Sequence, residues 1–124
     1  MKIKPIQFIL TAILLLAIDS IYLKLIAPIY NMQVKKIQGK EINFRVYSAI
    51  IVYIILITGL YYFVIGQNKS TKEGAFFGLV IYGVFDFTNH AILDNYSLSL
   101  AIMDTIWGMV LCGATTFLMR YLYI

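Results

Sequence analysis

Three aspartates stand inside long apolar stretches of this chain, where a carboxyl group is costly to bury. Asp86 lies in residues 82–90, YGVFDFTNH, which place an acid, an amide and an imidazole within five positions of one another. Asp19 and Asp104 stand in two further apolar stretches. Ionisable groups at membrane depth usually face the interior of a helix bundle and mark ion or proton pathways. These residue types therefore indicate proton exchange, cation binding or general acid–base chemistry.

Membrane-spanning helices must position these residues, because the composition argues against a soluble domain. Of the 124 residues, 61% are hydrophobic and 13% are charged, whereas a soluble domain of this size buries only about two-thirds of its surface. Long apolar runs between short charged stretches are typical of an integral membrane protein. We predict a single integral membrane domain over residues 1–124, an all-α four-helix transmembrane bundle with spans at about 6–29, 44–65, 73–93 and 98–122.

The N-terminal run resembles a signal peptide, because Lys2 and Lys4 precede an apolar segment. That segment is too long, however, and ends without a clear small-residue cleavage site. We interpret it as a retained first span that Pro28 ends or bends. Residues 30–43 are then predicted to form a basic, solvated loop, with a short helical turn lying on the membrane surface as the alternative.

The distribution of Lys and Arg gives only a weak indication of how the chain is oriented in the membrane. The side with both termini would carry five Lys and Arg residues, and the other side four or five. Because the loop between spans three and four has neither residue, we predict cytoplasmic termini. Insertion in both orientations stays open.

Helix rise places the three aspartates at one depth. Asp86 lies nine residues before Asn95, the centre of the predicted turn, and Asp104 nine residues after it, so each is about 13 Å below the turn. Asp19 lies as far into the first span as Asp86 does into the third. Each membrane-central aspartate costs about 2.5–3.5 kcal/mol. The alignment therefore indicates a shared polar core in which at least one carboxyl is protonated.

The predicted site follows from stripes of residues along the spans. On span three, small and polar residues share one stripe, which opens with two glycines at the GxxxG spacing that lets helices approach closely. The ion- or proton-binding core is predicted to be Asp19, Asp86, Asn89 and Asp104. The supporting residues are Tyr53, Tyr82, Thr88, His90 and Trp107. The helix-packing glycines are Gly74, Gly78 and Gly108.

Two further interpretations are compatible with these polar residues. Buried Asp, Asn and Tyr side chains can simply hydrogen-bond helices together, with no other role. His90 follows Asp86 at i+4, a spacing that suits a proton relay or one edge of a metal site. The chain has one His and one Cys, on different spans, so we predict no metal site and no cofactor. Cys112 is interpreted as a small buried filler.

Spaced motifs run through nearly the whole chain. They are Asp19 with an aromatic residue three positions later, Tyr53 with Gly59 and Phe63, Gly78, the segment with Tyr82, Asp86, Thr88 and Asn89, and Asp104 with Trp107 and Gly108. In this order they resemble the widespread family of predicted four-span membrane proteins catalogued as domain of unknown function 2177. The resemblance implies a four-helix membrane fold and points to Asp19, Asp86, Asn89 and Asp104. It supplies no established activity.

The chain departs from the family pattern at four positions within or beside these motifs. They are Tyr22 in place of Trp, Phe85 in place of Tyr, Phe87 in place of Leu, and His90 in place of an apolar residue. The last departure argues against a general catalytic role for His90. Asp19-Ser-Ile-Tyr22 and Asp104-Thr-Ile-Trp107 also share a pattern that hints at pseudo-symmetry between spans one and four.

Three functions are compatible with these residues. The leading one is a proton- or cation-linked transporter or channel, acting as a homo-oligomer because one small bundle has little room for a pathway. The alternatives are a membrane-embedded enzyme or helper subunit acting on a lipid or apolar small molecule, and a structural assembly protein. Whether the protein is an enzyme is left open. The net charge of +4 gathers near span ends, so the expected partners are the lipid bilayer and further copies, not nucleic acid.

Overall fold

The computed structural model describes residues 2–123 as four helices joined by short connections. They are α1 (Pro5–Gln38), α2 (Val46–Leu60), α3 (Thr71–Ile92) and α4 (Leu98–Leu122). A π-helical segment, Tyr61–Ile65, continues α2. All four, with this segment counted as part of α2, are long and apolar enough to cross a membrane. The predicted all-α fold with four spans is confirmed.

The first helix is longer than the sequence predicted. It passes through Pro28 and ends at Gln38, so the helix continues beyond the predicted span end near residue 29, and the prediction of a loop from residue 30 is wrong. It stops at Gly39, whose φ of 75° suits glycine. Its 34 residues span about 50 Å, whereas the hydrocarbon core is about 30 Å thick. About 20 Å of α1 therefore has to extend beyond that core, unless the helix is strongly tilted.

Tertiary contacts hold the part of α1 that follows Pro28. Gln33 is buried, and its Nε2 donates to the Asn95 carbonyl at 2.8 Å. Its Oε1 accepts from the Ser97 backbone N–H at 3.3 Å, and the Asn95 Nδ2 donates to the Lys36 carbonyl at 3.3 Å. The turn between α3 and α4 thus docks on this segment. Sequence reasoning missed these contacts, because a proline signal is local and the partners are about 60 residues away.

Serine side chains cap the N-termini of the last two helices. The Ser70 Oγ accepts from the Glu73 N–H at 3.2 Å, while Glu73 Oε1 accepts from the Ser70 N–H at 3.1 Å. This reciprocal capping box explains why α3 starts at Thr71, two residues before the predicted span. The Ser97 Oγ accepts from the Leu100 N–H at 3.2 Å and caps α4 in the same way.

Glycines let α3 and α4 pack closely as an antiparallel pair. A Cβ added at Gly78 would collide with the Gly108 carbonyl, and one at Gly108 would collide with the Tyr82 ring. A Cβ added at Gly74 would strike Thr116. The backbones of α3 and α4 therefore meet where Gly78 faces Gly108, and Gly108 and Gly74 also make room for side chains of the facing helix, as small residues allow.

We expect Gly78→Ala to destabilise the fold by about 1–3 kcal/mol, because its methyl group meets backbone that cannot move aside. Gly83→Ala is the matched control, since its Cβ would lie 3.5 Å from the Thr105 Cγ2, an ordinary contact. That change should be neutral or stabilising, because Ala favours helix by up to about 1 kcal/mol over Gly. Thermal unfolding in detergent measures both, and equal stabilities of the two variants would contradict this packing.

Candidate functional site

Asp19 on α1 ties three helices together. Its side chain is buried, and Oδ2 accepts a hydrogen bond from the Tyr53 hydroxyl of α2. Its Oδ1 accepts from the Trp107 indole N–H of α4 at 2.8 Å. A buried carboxyl needs such donors, because the surrounding acyl chains offer none.

Asp104 and Tyr22 complete a reciprocal arrangement with the residues around Asp19. The Tyr22 hydroxyl of α1 donates to Asp104 Oδ1 of α4 at 3.1 Å. The Tyr22 and Trp107 rings stack between the two acids, with centroids 4.6 Å apart and planes inclined by 6°. Each Asp-x-x-aromatic pattern therefore supplies the donor for the acid of the other. Because α1 and α4 are antiparallel, the two four-residue patterns are related by a local two-fold.

Asp86 is the fully buried acid of α3, with a relative exposure of 0%. Its Oδ1 accepts from the Tyr96 hydroxyl at 2.9 Å, and its Oδ2 from the Thr105 hydroxyl at 3.5 Å. The Asp104 carboxyl lies within hydrogen-bonding reach of it. Two carboxyl groups can share a hydrogen bond only when one of them carries a proton. The geometry thus suits a single proton held between Asp86 and Asp104.

Two donors to Asp86 were missed by sequence reasoning. Tyr96 lies in the turn between α3 and α4, where a tyrosine is typical of an interface anchor. It is instead buried, and burial together with the hydrogen bond to Asp86 raises the pKa of its phenol above the ordinary value. Tyr96 therefore stays protonated and remains a donor. No pattern in the sequence indicated a role for Thr105, apart from its position next to Asp104.

The three acids occupy a narrow layer near the α3–α4 turn. Asp86 and Asp104 lie side by side, whereas Asp19 bonds Trp107, three residues further along α4. Three residues of helix rise correspond to about 4.5 Å, so Asp19 lies roughly one turn away from the pair. Among residues 2–123, every buried side-chain nitrogen and oxygen has a hydrogen-bond partner.

Of the other residues predicted for the site, some lie near the three acids and others face away from the bundle. Asn89 is half-buried, with its side chain within hydrogen-bonding reach of Tyr96. Tyr82 is half-buried and packs on Gly108. The side chains of Thr88 and His90 are exposed on α3. Within the described chain, no three His, Cys, Asp or Glu residues gather as a metal-binding group.

A groove of about 520 Å³ lies between α2 and α3 and reaches Asp104 of α4. Its lining is apolar and partly aromatic, apart from Asp104 and the Tyr82 hydroxyl. Several wall residues have outward-facing surface, including Ile55 at 66% and Phe85 at 53% exposure. The groove therefore opens on the outer face of the bundle, which in a membrane faces the acyl chains.

Four membrane-length helices around a buried acid layer define a class of protein: a multi-pass integral membrane protein. A family model described as "Predicted membrane protein (DUF2177)" matches residues 5–121. The chain therefore belongs to this family of predicted membrane proteins, and the resemblance noted from its motifs is confirmed. Comparisons with curated proteins and with solved structures gave no match.

We expect Asp19→Ala to cost about 2–5 kcal/mol, because the Tyr53 hydroxyl and Trp107 indole N–H lose their shared acceptor in a buried place. Asp94→Ala is the control, since Asp94 is exposed in the turn and surface changes usually stay within about 0.5 kcal/mol. Unfolding by a graded denaturing detergent, followed by circular dichroism, compares them. An Asp19→Ala protein as stable as Asp94→Ala would show that these hydrogen bonds carry no stability.

Proposed function

We propose that this protein is a proton- or cation-linked transporter that works through the Asp86–Asp104 pair. The observation that carries the proposal is that two carboxyl groups lie beside each other at membrane depth, since Asp86 accepts from the hydroxyl of Thr105, the residue that follows Asp104. Such a pair gives up or takes one proton when a cation arrives or leaves, because like charges in low dielectric cannot both persist unpaired. Asp86 is fully buried and Asp104 half-buried, so Asp104 is the member of the pair that an incoming ion meets first.

The working unit is proposed to be a homo-oligomer. Toward the termini, the space beside the acid layer is filled by fully buried side chains, including Leu15, Leu60 and Leu111. A continuous polar path through a single copy would have to pass these residues. A pathway between copies avoids this obstacle, and it can use the lipid-facing opening beside Asp104. Copies inserted in opposite orientations are compatible with the even Lys and Arg distribution.

The termini are proposed to be cytoplasmic, because the turn at residues 93–97 carries no Lys or Arg. A cysteine placed at residue 2, in a Cys112→Ala background, should resist a membrane-impermeant maleimide in intact cells. Full labelling of that cysteine would reverse the assignment, and half labelling would indicate both orientations.

We expect Asp86→Asn and Asp104→Asn each to lower proton and monovalent cation flux across proteoliposomes at least about tenfold. The reason is that an amide is isosteric with the carboxyl but cannot release or accept the exchanged proton. Asp94→Asn makes the same chemical change at an exposed position and should keep wild-type flux. A pH-sensitive dye inside the vesicles reports proton movement after an imposed gradient. Wild-type flux in both pair variants would overturn the proposal.

A membrane-embedded enzyme or helper subunit acting on an apolar molecule is the second candidate. The lateral groove favours it, because an acyl substrate could enter from the bilayer and meet a carboxyl pair able to act as acid and base. Mass spectrometry of lipids incubated with the protein distinguishes the two. Chemical conversion that depends on Asp104, in a protein without flux, would favour the enzyme. Pair variants that lose only stability would favour the structural assembly role.

A further inference from the structure

We infer that the groove between α2 and α3 binds a single-tailed amphiphilic cation, with its ammonium head at Asp104 and its tail along the apolar walls. This rests on the proposed role of the Asp86–Asp104 pair as an exchange site, and it names the substrate class of that site. Three features of the groove carry the inference: its lining, the place of Asp104 within it, and its charge.

The lining suits a hydrocarbon or aromatic tail. The α2 wall consists of Val52, Ile55, Leu56, Gly59 and Phe63, and the α3 wall of Phe77, Ile81, Tyr82 and Phe85. A volume of about 520 Å³ is of the size found for small-molecule sites, which run from about 300 to 1,000 Å³. Gly59 keeps the space open, because a Cβ there would lie 3.1 Å from the Phe77 Cζ.

Helix register places Asp104 near one end of the groove. Gly78 packs against Gly108, so Tyr82, one turn further along α3, is level with Asp104 on antiparallel α4. Tyr53 of α2 and Trp107 of α4 both donate to Asp19, and Trp107 lies three residues from Asp104, so Val52 beside Tyr53 lies about one turn from Asp104. From there the groove follows α2 for eleven residues to Phe63, about 16 Å. A ligand that fills it needs its charge at one end.

The chemistry at that end selects a cation. Asp104 is the charged residue of the described lining, and the rings of Tyr82 and Phe85 line the same part of the groove. A carboxyl beside aromatic rings is an arrangement that recognises ammonium groups through charge and cation–π attraction. The Tyr22 hydroxyl donates to Asp104 Oδ1, and an arriving ammonium head would take the place of the proton that Asp104 shares with Asp86.

The same charge excludes the commonest amphiphiles of the bilayer. A phospholipid or fatty acid would bring its own negative group against Asp104 and Asp86, and like charges in low dielectric repel strongly. A neutral fatty alcohol would leave the acid without a counter-charge. The occupant that satisfies both the walls and the acid has one apolar tail and a net positive head.

Binding can be followed through Trp107, because the sequence contains one tryptophan and its ring stacks on the Tyr22 that bonds Asp104. The protein in phosphatidylcholine vesicles is titrated with dodecyltrimethylammonium, and Trp107 emission is recorded. We expect a saturable change, whereas dodecyl maltoside and dodecyl sulfate, which have the same tail, should give only a linear partitioning response.

One variant tests the charged end of the groove and another tests its apolar space, and each has a matched control. Asp104→Asn removes the charge and Gly59→Leu fills the space, and each should raise the half-saturating concentration at least about tenfold. Asp94→Asn removes a charge from an exposed residue of the turn, and Thr58→Leu places a leucine at an exposed position of α2 outside the groove. Both variants should keep the wild-type half-saturating concentration. Because Gly59→Leu leaves the acid layer intact, it keeps the test valid even if Asp104→Asn folds poorly.

The outcomes separate this inference from the proposed function. Equal responses to all three dodecyl compounds, or unchanged binding in both groove variants, would overturn the cation site. Saturable binding without any flux in proteoliposomes would keep the site and refute transport. Flux that depends on Asp104 without saturable binding of the amphiphile would keep transport and refute this substrate class.

Discussion

A carboxyl group inside a bilayer must obtain its hydrogen bonds from the protein, because acyl chains offer neither donors nor acceptors. Here aromatic side chains supply most of the donors. Tyr53 and Trp107 donate to Asp19, and Tyr22 donates to Asp104. Tyrosine and tryptophan suit this task, since each presents an apolar body to lipid and a polar tip to the acid. The arrangement of the four spans around the acid layer follows from this requirement.

The same donors join α1 and α2, which touch each other sparingly, to α4. Glycine contacts draw α3 and α4 together over much of their length, whereas α2 meets α3 mainly at the π-helical segment Tyr61–Ile65. The hydroxyl of Tyr53 and the stacked rings beside Asp19 join α1, α2 and α4. Because α2 stands away from α3 elsewhere, a groove forms there and exposes Asp104 from the lipid side.

The last two helices could be placed to within two residues, and their close glycine packing could be predicted, because apolar length and small-residue spacing are read directly from the sequence. The end of α1 could not be predicted from the sequence. Its continuation past Pro28 depends on Gln33 and its partners in the α3–α4 turn, which no local pattern reveals. Likewise, the acids could be placed at similar depths by counting residues, but the Tyr96 and Thr105 donors to Asp86 required the fold.

By itself, then, the sequence determined that the chain crosses a membrane four times and that three acids lie within the apolar stretches, since hydrophobic length and residue spacing are one-dimensional properties. Only the tertiary structure decided which acids meet, which aromatic residue serves which acid, and that a groove opens beside Asp104. Those outcomes depend on how each helix is rotated and spaced against its neighbours, and packing between distant residues sets both.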